Sequence, residues 1–180
     1  LSEASSADMQ CTTPQTGSIP DSSSLAAPIG NQSESTDSAP IEVLRNEFGI
    51  AVATTGEFSV GVGNRMNPPQ TPTKALIMGV IQTTLNRVNE ILERDGPVRL
   101  LLVNNNDKIV YLDPDTDLYD TRVSDPDLQA QFQDVINSVL GTTSYSFGHT
   151  FHWASSPRGD AGGIGTVCND SKKALGFSAT

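Results

Sequence analysis

The first 40 residues contain no Lys, Arg, Phe, Tyr or Trp, and this one-sided composition decides which part of the chain can fold. They hold ten Ser, four Thr, four Pro and five acidic residues, so the segment has neither the apolar surface for a core nor cations to offset its charge of −5. Residues 1–40 are therefore read as a Ser/Thr/Pro-rich acidic arm or propeptide remnant. Such an arm is either solvated or ordered by docking on its own body or on a neighbouring subunit. All six Phe, all three Tyr and Trp153 fall in residues 41–180, the folded body. At about 140 residues that body buries roughly two thirds of the surface its unfolded chain exposes, and needs neither metal nor disulfide merely to fold.

Charge narrows the partners. With 11 basic and 21 acidic residues the chain carries −10, which opposes any passive grip on a phosphate backbone or anionic lipid. Nucleic acid is not an expected partner, and without a run of about 18 apolar residues neither is membrane insertion. The sequence opens Leu1-Ser-Glu-Ala-Ser-Ser, without the basic and apolar segments of a signal peptide, and reads as an exported, already processed, extracellular product.

Within the body, strand and helix signals alternate. The apolar, β-branched run from Phe48 to Thr55 lacks helical period and suits a strand buried on both faces. Pro68, Pro69 and Pro72 punctuate a loop, after which Thr73 is placed to cap a helix whose apolar positions Ile77, Val80, Ile81, Leu85, Val88, Ile91 and Leu92 step by three and four. Asp95-Gly-Pro97 stops it. Val98–Val103 predicts a second strand, and Asn104–Asp107 a turn into a hairpin partner at Lys108–Leu112. Asp125-Pro126 predicts the start of a second helix with Leu128, Phe132, Val135, Ile136, Val139 and Leu140 on one face, ending at Gly141. Tyr145–Trp153 reads as a strand, the glycines 159–165 as a loop, and Ile164–Cys168 as a last short strand before a polar tail. The order implies an α/β fold with a mostly parallel sheet, one antiparallel strand and two long helices.

These segments also carry a family likeness. Ile50-Ala-Val-Ala-Thr-Thr-Gly-Glu-Phe58, Thr84–Asp95, Leu101-Leu-Val-Asn-Asn-Asn-Asp-Lys-Ile-Val-Tyr-Leu-Asp-Pro-Asp-Thr-Asp117, Tyr145-Ser-Phe-Gly-His149 and Gly163-Ile-Gly-Thr-Val-Cys-Asn169 together resemble secreted bacterial reprolysin-like (M12B-like) metallopeptidases of the metzincin clan. The resemblance spans about residues 46–176. It implies a twisted five-stranded sheet with two long helices, closed in the family by a zinc helix carrying H-E-x-x-H-x-x-G-x-x-H. Such a site needs three imidazoles on zinc and a Glu as general base. This chain has only His149 and His152, three apart on a predicted strand, where alternation sends them to opposite faces. No catalytic, cofactor-binding or zinc residue is carried over to any position.

Two function classes follow from that resemblance. In one, the chain is the N-terminal subdomain of a secreted zinc metallopeptidase lineage, not catalytic on its own, whose missing C-terminal half would supply zinc. In the other, it is a non-catalytic extracellular structural subunit that assembles with identical subunits into an oligomer or filament through its arm and exposed sheet face. Both expect an apolar surface of several hundred Å² where the zinc helix would otherwise pack.

The remaining motifs carry weaker chemistry. Asp113, Asp115 and Asp117 open like a calcium loop, but Leu118 replaces the loop glycine and Ser124 the closing Glu, so an EF-hand is rejected. Together with Asp120 they leave a loose calcium candidate against the plain reading of a solvated acidic turn. The 159–165 glycines lack the Lys-Ser/Thr ending and the following helix of a phosphate loop. Cys11 and Cys168 are the only cysteines, open to one intrachain disulfide, two thiols or bridges between neighbours. An intrachain bond would close a loop worth about 4–5 kcal/mol in the chain-entropy model. The family likeness adds a further role for Cys11, as a propeptide thiol on the zinc of a latent enzyme. Asn31 and Asn169 head formal N-glycosylation sequons.

Overall fold

The computed structural model describes residues 46–180. The arm, with Cys11 and Asn31, lies outside the described residues. Five strands form one mixed sheet: β1 (Asn46–Thr54), β2 (Val98–Leu102), β3 (Phe147–His152), β4 (Arg158–Asp160) and β5 (Gly176–Ala179). Their order is β2-β1-β3-β5-β4, with β4 antiparallel to β5 and every other pair parallel. Three helices pack around it: α1 (Gly56–Arg65), α2 (Lys74–Asp95) and α3 (Asp125–Leu140).

The centre of the sheet is β1, buried from Gly49 to Thr54 because helices cover both of its faces. On one face Ile50 and Val52 meet Ile77, Ile81 and Leu85 of α2 and Leu100 of β2. On the other, Ala51 and Ala53 are small enough to let Ile136 of α3 approach, with Ile109 and Ala174 completing that layer. Farther along α3, Phe132 sits 5.2 Å from Tyr119 and 6.0 Å from Phe177, ring centre to ring centre. The caps follow local chemistry: the Thr73 hydroxyl accepts the Leu76 N–H at 3.2 Å, and the Gly96 N–H closes on Leu92 O at 2.9 Å. Of the apolar stripe expected on α2, Ile77, Ile81 and Leu85 are buried, whereas Val88 and Ile91 face outward, 38% and 53% exposed.

Four expectations need correction. A helix, α1, stands where none was predicted. Its glycines lower helix propensity by roughly 1 kcal/mol each, yet all three, Gly56, Gly61 and Gly63, are required by close approach. A Cβ on Gly56 would stand 2.2 Å from the Asp113 carbonyl carbon, and one on Gly61 2.3 Å from the Trp153 ring. Thr55 starts the helix by accepting the Phe58 N–H at 3.3 Å, and Phe58 stacks 5.3 Å from Phe151.

The expected hairpin strand at Lys108–Leu112 is instead a 3-10 turn over Asn106–Ile109 followed by a single parallel bridge between Thr54 and Val110. Asn106 takes the place of a strand: its Nδ2 donates to Val52 O at 2.8 Å and its Oδ1 accepts from Val52 N at 2.7 Å. One buried side-chain amide thereby satisfies the β1 edge just past the end of β2, and the preceding Asn105 supplies the left-handed turn at φ 59°.

The other two corrections lie near the end of the chain. Ile164–Cys168 is not a strand, because Gly162, Gly163 and Gly165 adopt positive φ and break the extension, leaving Ile164 fully exposed and Val167 half-exposed. The strand is β5, in the supposed polar tail, and the antiparallel member is the short edge strand β4.

Candidate functional site

Two-residue alternation along β3 sorts its side chains. Phe147, His149 and Phe151 point to the α2 side, Gly148, Thr150 and His152 to the α3 side. The two histidines therefore lie on opposite faces, as their spacing predicts. Helix α2 covers β1 and β2 but stops short of β3 and β5. There the sheet face opens into a cleft of about 500 Å³, floored by Phe147, His149 and Ser178 and walled by Asp160 of β4 and by Thr166 and Val167 of the glycine-rich loop.

On the cleft floor His149 Nε2 and Ser178 Oγ are 2.8 Å apart. Burial pushes the imidazole down to about 4, so it is neutral at pH 7. Two charged groups line the same cleft, and both are engaged. Asp160 Oδ1 accepts the Gly162 N–H at 2.6 Å. Lys173, 3% exposed, donates to Asp170 at 2.7 Å and to Thr142 O, and its ammonium lies 4.4 Å from the centre of the Tyr145 ring.

On the opposite face His152 is 3% exposed, with its Nδ1 3.5 Å from Thr55 Oγ1 and its ring 6.4 Å from that of Phe132. Its pKa is lowered, chiefly by burial, with Glu57 pulling the other way. A second hollow, about 450 Å³, lies over α1 between Trp153, Glu57 and Arg65. The Arg65 guanidinium stacks 4.4 Å from the Trp153 ring centre, and Glu57 Oε1 accepts the Thr121 hydroxyl at 2.9 Å.

The acidic loop considered for calcium does not converge. Asp117 is committed to two backbone amides, Gly56 N at 2.7 Å and Tyr119 N at 3.0 Å, which pins the loop to the start of α1. Its pKa is nonetheless raised, first by burial, with Glu57 and Asp113 adding repulsion. Asp113 accepts the Asp115 N–H at 3.0 Å, and Asp120 is held by Arg122 at 2.8 Å. Among the described residues no three His, Cys, Asp or Glu side chains stand where they could hold a metal ion. The described residues therefore do not fit the zinc that the metzincin likeness implies.

Asn169 is exposed, and its Oδ1 accepts both the Ser171 N–H and the Ser171 hydroxyl, at 3.1 and 2.8 Å. Cys168 follows Val167, which lines the cleft, and its N–H donates to Ser146 O at 2.7 Å.

Several of the most engaged side chains escaped sequence reasoning. Besides Asn106, the buried Asn89 clamps α2 to β2 by exchanging two 2.8 Å bonds with the Leu100 backbone. Gln133 accepts Ala174 N at 2.6 Å and so anchors the chain entering β5. The usable signal was an amide inside an apolar period, as at Asn89 between Val88 and Ile91. Ser178 gave none, because its segment reads as a tail.

None of the curated proteins compared with the chain matches it. A family model does: that of metallo-peptidase family M12B, reprolysin-like, matches residues 45–180. The match covers three quarters of the chain and takes in every strand and helix just described. This chain belongs to the reprolysin-like M12B metallopeptidase family.

Proposed function

We propose that residues 45–180 act as the sheet subdomain of an exported protein of the M12B lineage, a scaffold without hydrolytic chemistry of its own. One observation carries this reading: the only two imidazoles lie on opposite faces of β3, His149 turned to Ser178 and His152 to Thr55, so they cannot share one ion. An active peptidase would have to draw its zinc ligands and general base from residues outside this sequence. Among the described residues no helix is long and apolar enough to cross a membrane.

The test is zinc content by mass spectrometry together with casein hydrolysis by the 180-residue chain. The expected result is far less than one zinc per chain and no cleavage. Chelator-sensitive cleavage with stoichiometric zinc overturns the reading.

A second reading, a structural subunit that assembles with identical copies, is favoured by the fully exposed Ile164 and half-exposed Val167 on the glycine-rich loop that walls the cleft. Sedimentation over rising concentration separates the two, since a subunit of this kind forms higher oligomers while a scaffold domain stays monomeric. The mass of native material adds a second discriminator: a value well above 19.1 kDa, after glycan removal, favours a longer peptidase.

A further inference from the structure

The connections of the sheet reverse direction between β1 and β3. The chain leaving β1 returns to β2 on one side, and the chain leaving β3 goes on to β4 and β5 on the other. Neither connection fills the space outside the carboxyl ends of two such neighbours, and open α/β sheets take their ligands in the crevice that is left. Here β1 runs through Thr55 into α1, β3 ends at His152 beside Trp153, and the hollow of about 450 Å³ is lined by α1 and Trp153. Such a volume suits a small ligand, for which sites span about 300–1,000 Å³.

The lining sets the chemistry of the occupant. Val60, Pro114 and the Trp153 ring are apolar, and Asn64 adds an amide. The Trp153 ring rests on Gly61, four positions after Glu57 and four before Arg65. These two flanking groups carry opposite charge. Glu57 accepts the Thr121 hydroxyl at Oε1, but its Oε2 is buried with no hydrogen-bond partner among the described residues. Asp117 and Glu57 repel each other, so a positive group at this end relieves both carboxylates. Arg65 stacks on the indole and is joined to no carboxylate among the described residues. A stacked guanidinium keeps the N–H groups of its own edge, which take a carboxylate side by side.

We propose that this hollow binds a short peptide with both termini free, two or three residues long, its ammonium at Glu57, its carboxylate at Arg65 and its body against Trp153. Eight positions of α-helix separate Glu57 from Arg65 by roughly 12 Å along the axis, and Arg65 leans back over the ring at Gly61, which shortens the gap. Two or three extended residues reach about 7–11 Å. A free amino acid is too short to touch both ends, and a longer peptide carries its far terminus past its partner.

Trp153 is the only tryptophan in the sequence, so its emission reports occupancy of the hollow directly. The test titrates the 180-residue chain with trialanine and, in parallel, with N-acetyl-trialanine amide, the same body without terminal charges. The expected result is a saturable change in emission with trialanine alone. Glu57→Gln, which keeps an acceptor for Thr121, and Arg65→Gln should each weaken half-saturation about tenfold, whereas Arg65→Lys restores most of it. Equal binding of the capped peptide overturns the proposal, as does a response to trialanine that never saturates. The comparison of the two peptides uses the unaltered chain, so it decides the matter whether or not a variant folds. None of these readouts involves zinc or hydrolysis, which keeps the outcome separate from that of the scaffold reading.

Discussion

The two halves of the α2-facing side of the sheet use one backbone pattern for opposite ends. Over β1 and β2 the inward positions are Ile50, Val52 and Leu100, sealed by Ile77, Ile81 and Leu85 of α2. Over β3 and β5 the same face keeps Phe147 and Phe151 but adds His149 and Ser178, hydrogen-bonded to each other under an open cleft. A polar pair enters the apolar face where the helix stops. A sheet face without a permanent cover cannot present only apolar groups to water, and a neutral His–Ser pair fills the space without an uncompensated charge.

The largest effect should come from the sealed half. Ile81→Ala removes a side chain that is 1% exposed beneath α2, and urea unfolding should show a loss of about 2–5 kcal/mol. Next comes Asn106→Ala, which leaves both Val52 N and Val52 O without their partners in a buried place. The loss should be about 2–4 kcal/mol by the same measurement. A loss below about 0.5 kcal/mol would mean that water takes over the role assigned to the amide.

The open half is sharpened by pH. The folded His149 titrates near 4 against about 6.5 unfolded, so between these values the unfolded chain binds a proton the folded chain refuses. Stability is thus fully present above pH 6.5 and falls as pH drops toward 4, by roughly 2–3 kcal/mol from this residue. Denaturant midpoints across that range should show a shallower decline in His149→Gln, and parallel curves for the two proteins would refute the burial argument. Ser178→Ala should cost only about 0.5–1.5 kcal/mol, because the freed imidazole nitrogen can turn to solvent in the cleft. If that substitution costs as much as Ile81→Ala, the contrast between the halves fails. Smallest of all, Ile164→Ser should stay within about 0.5 kcal/mol, since its side chain is already exposed.

How much of this could be read beforehand depended on whether the signal was local. The α2 cap at Thr73, the stop at Gly96, the α3 face of Leu128, Phe132 and Ile136, and the opposite-facing histidines are consequences of neighbours within a few positions, and each is found in the structure. The α1 helix and the Asn106 turn were hidden because their reasons are distant. Gly61 is small because Trp153 lies above it, and Asn106 acts as a strand because Val52 has lost its neighbour. The role of Asp117 was hidden for the same reason, since it accepts from the Gly56 amide, 61 positions away.

Periodicity and capping chemistry were sufficient to set the α/β class and the mostly parallel sheet, and five short sequence blocks carried the family likeness that the M12B match makes plain. Only the tertiary structure decided that β5 rises from an apparent tail, that a side-chain amide completes the edge of β1, and that His149 meets Ser178 in an open cleft. The physical reason is that strand pairing and burial are contracts between residues far apart in the chain, whereas helical period and end caps are settled within a turn or two.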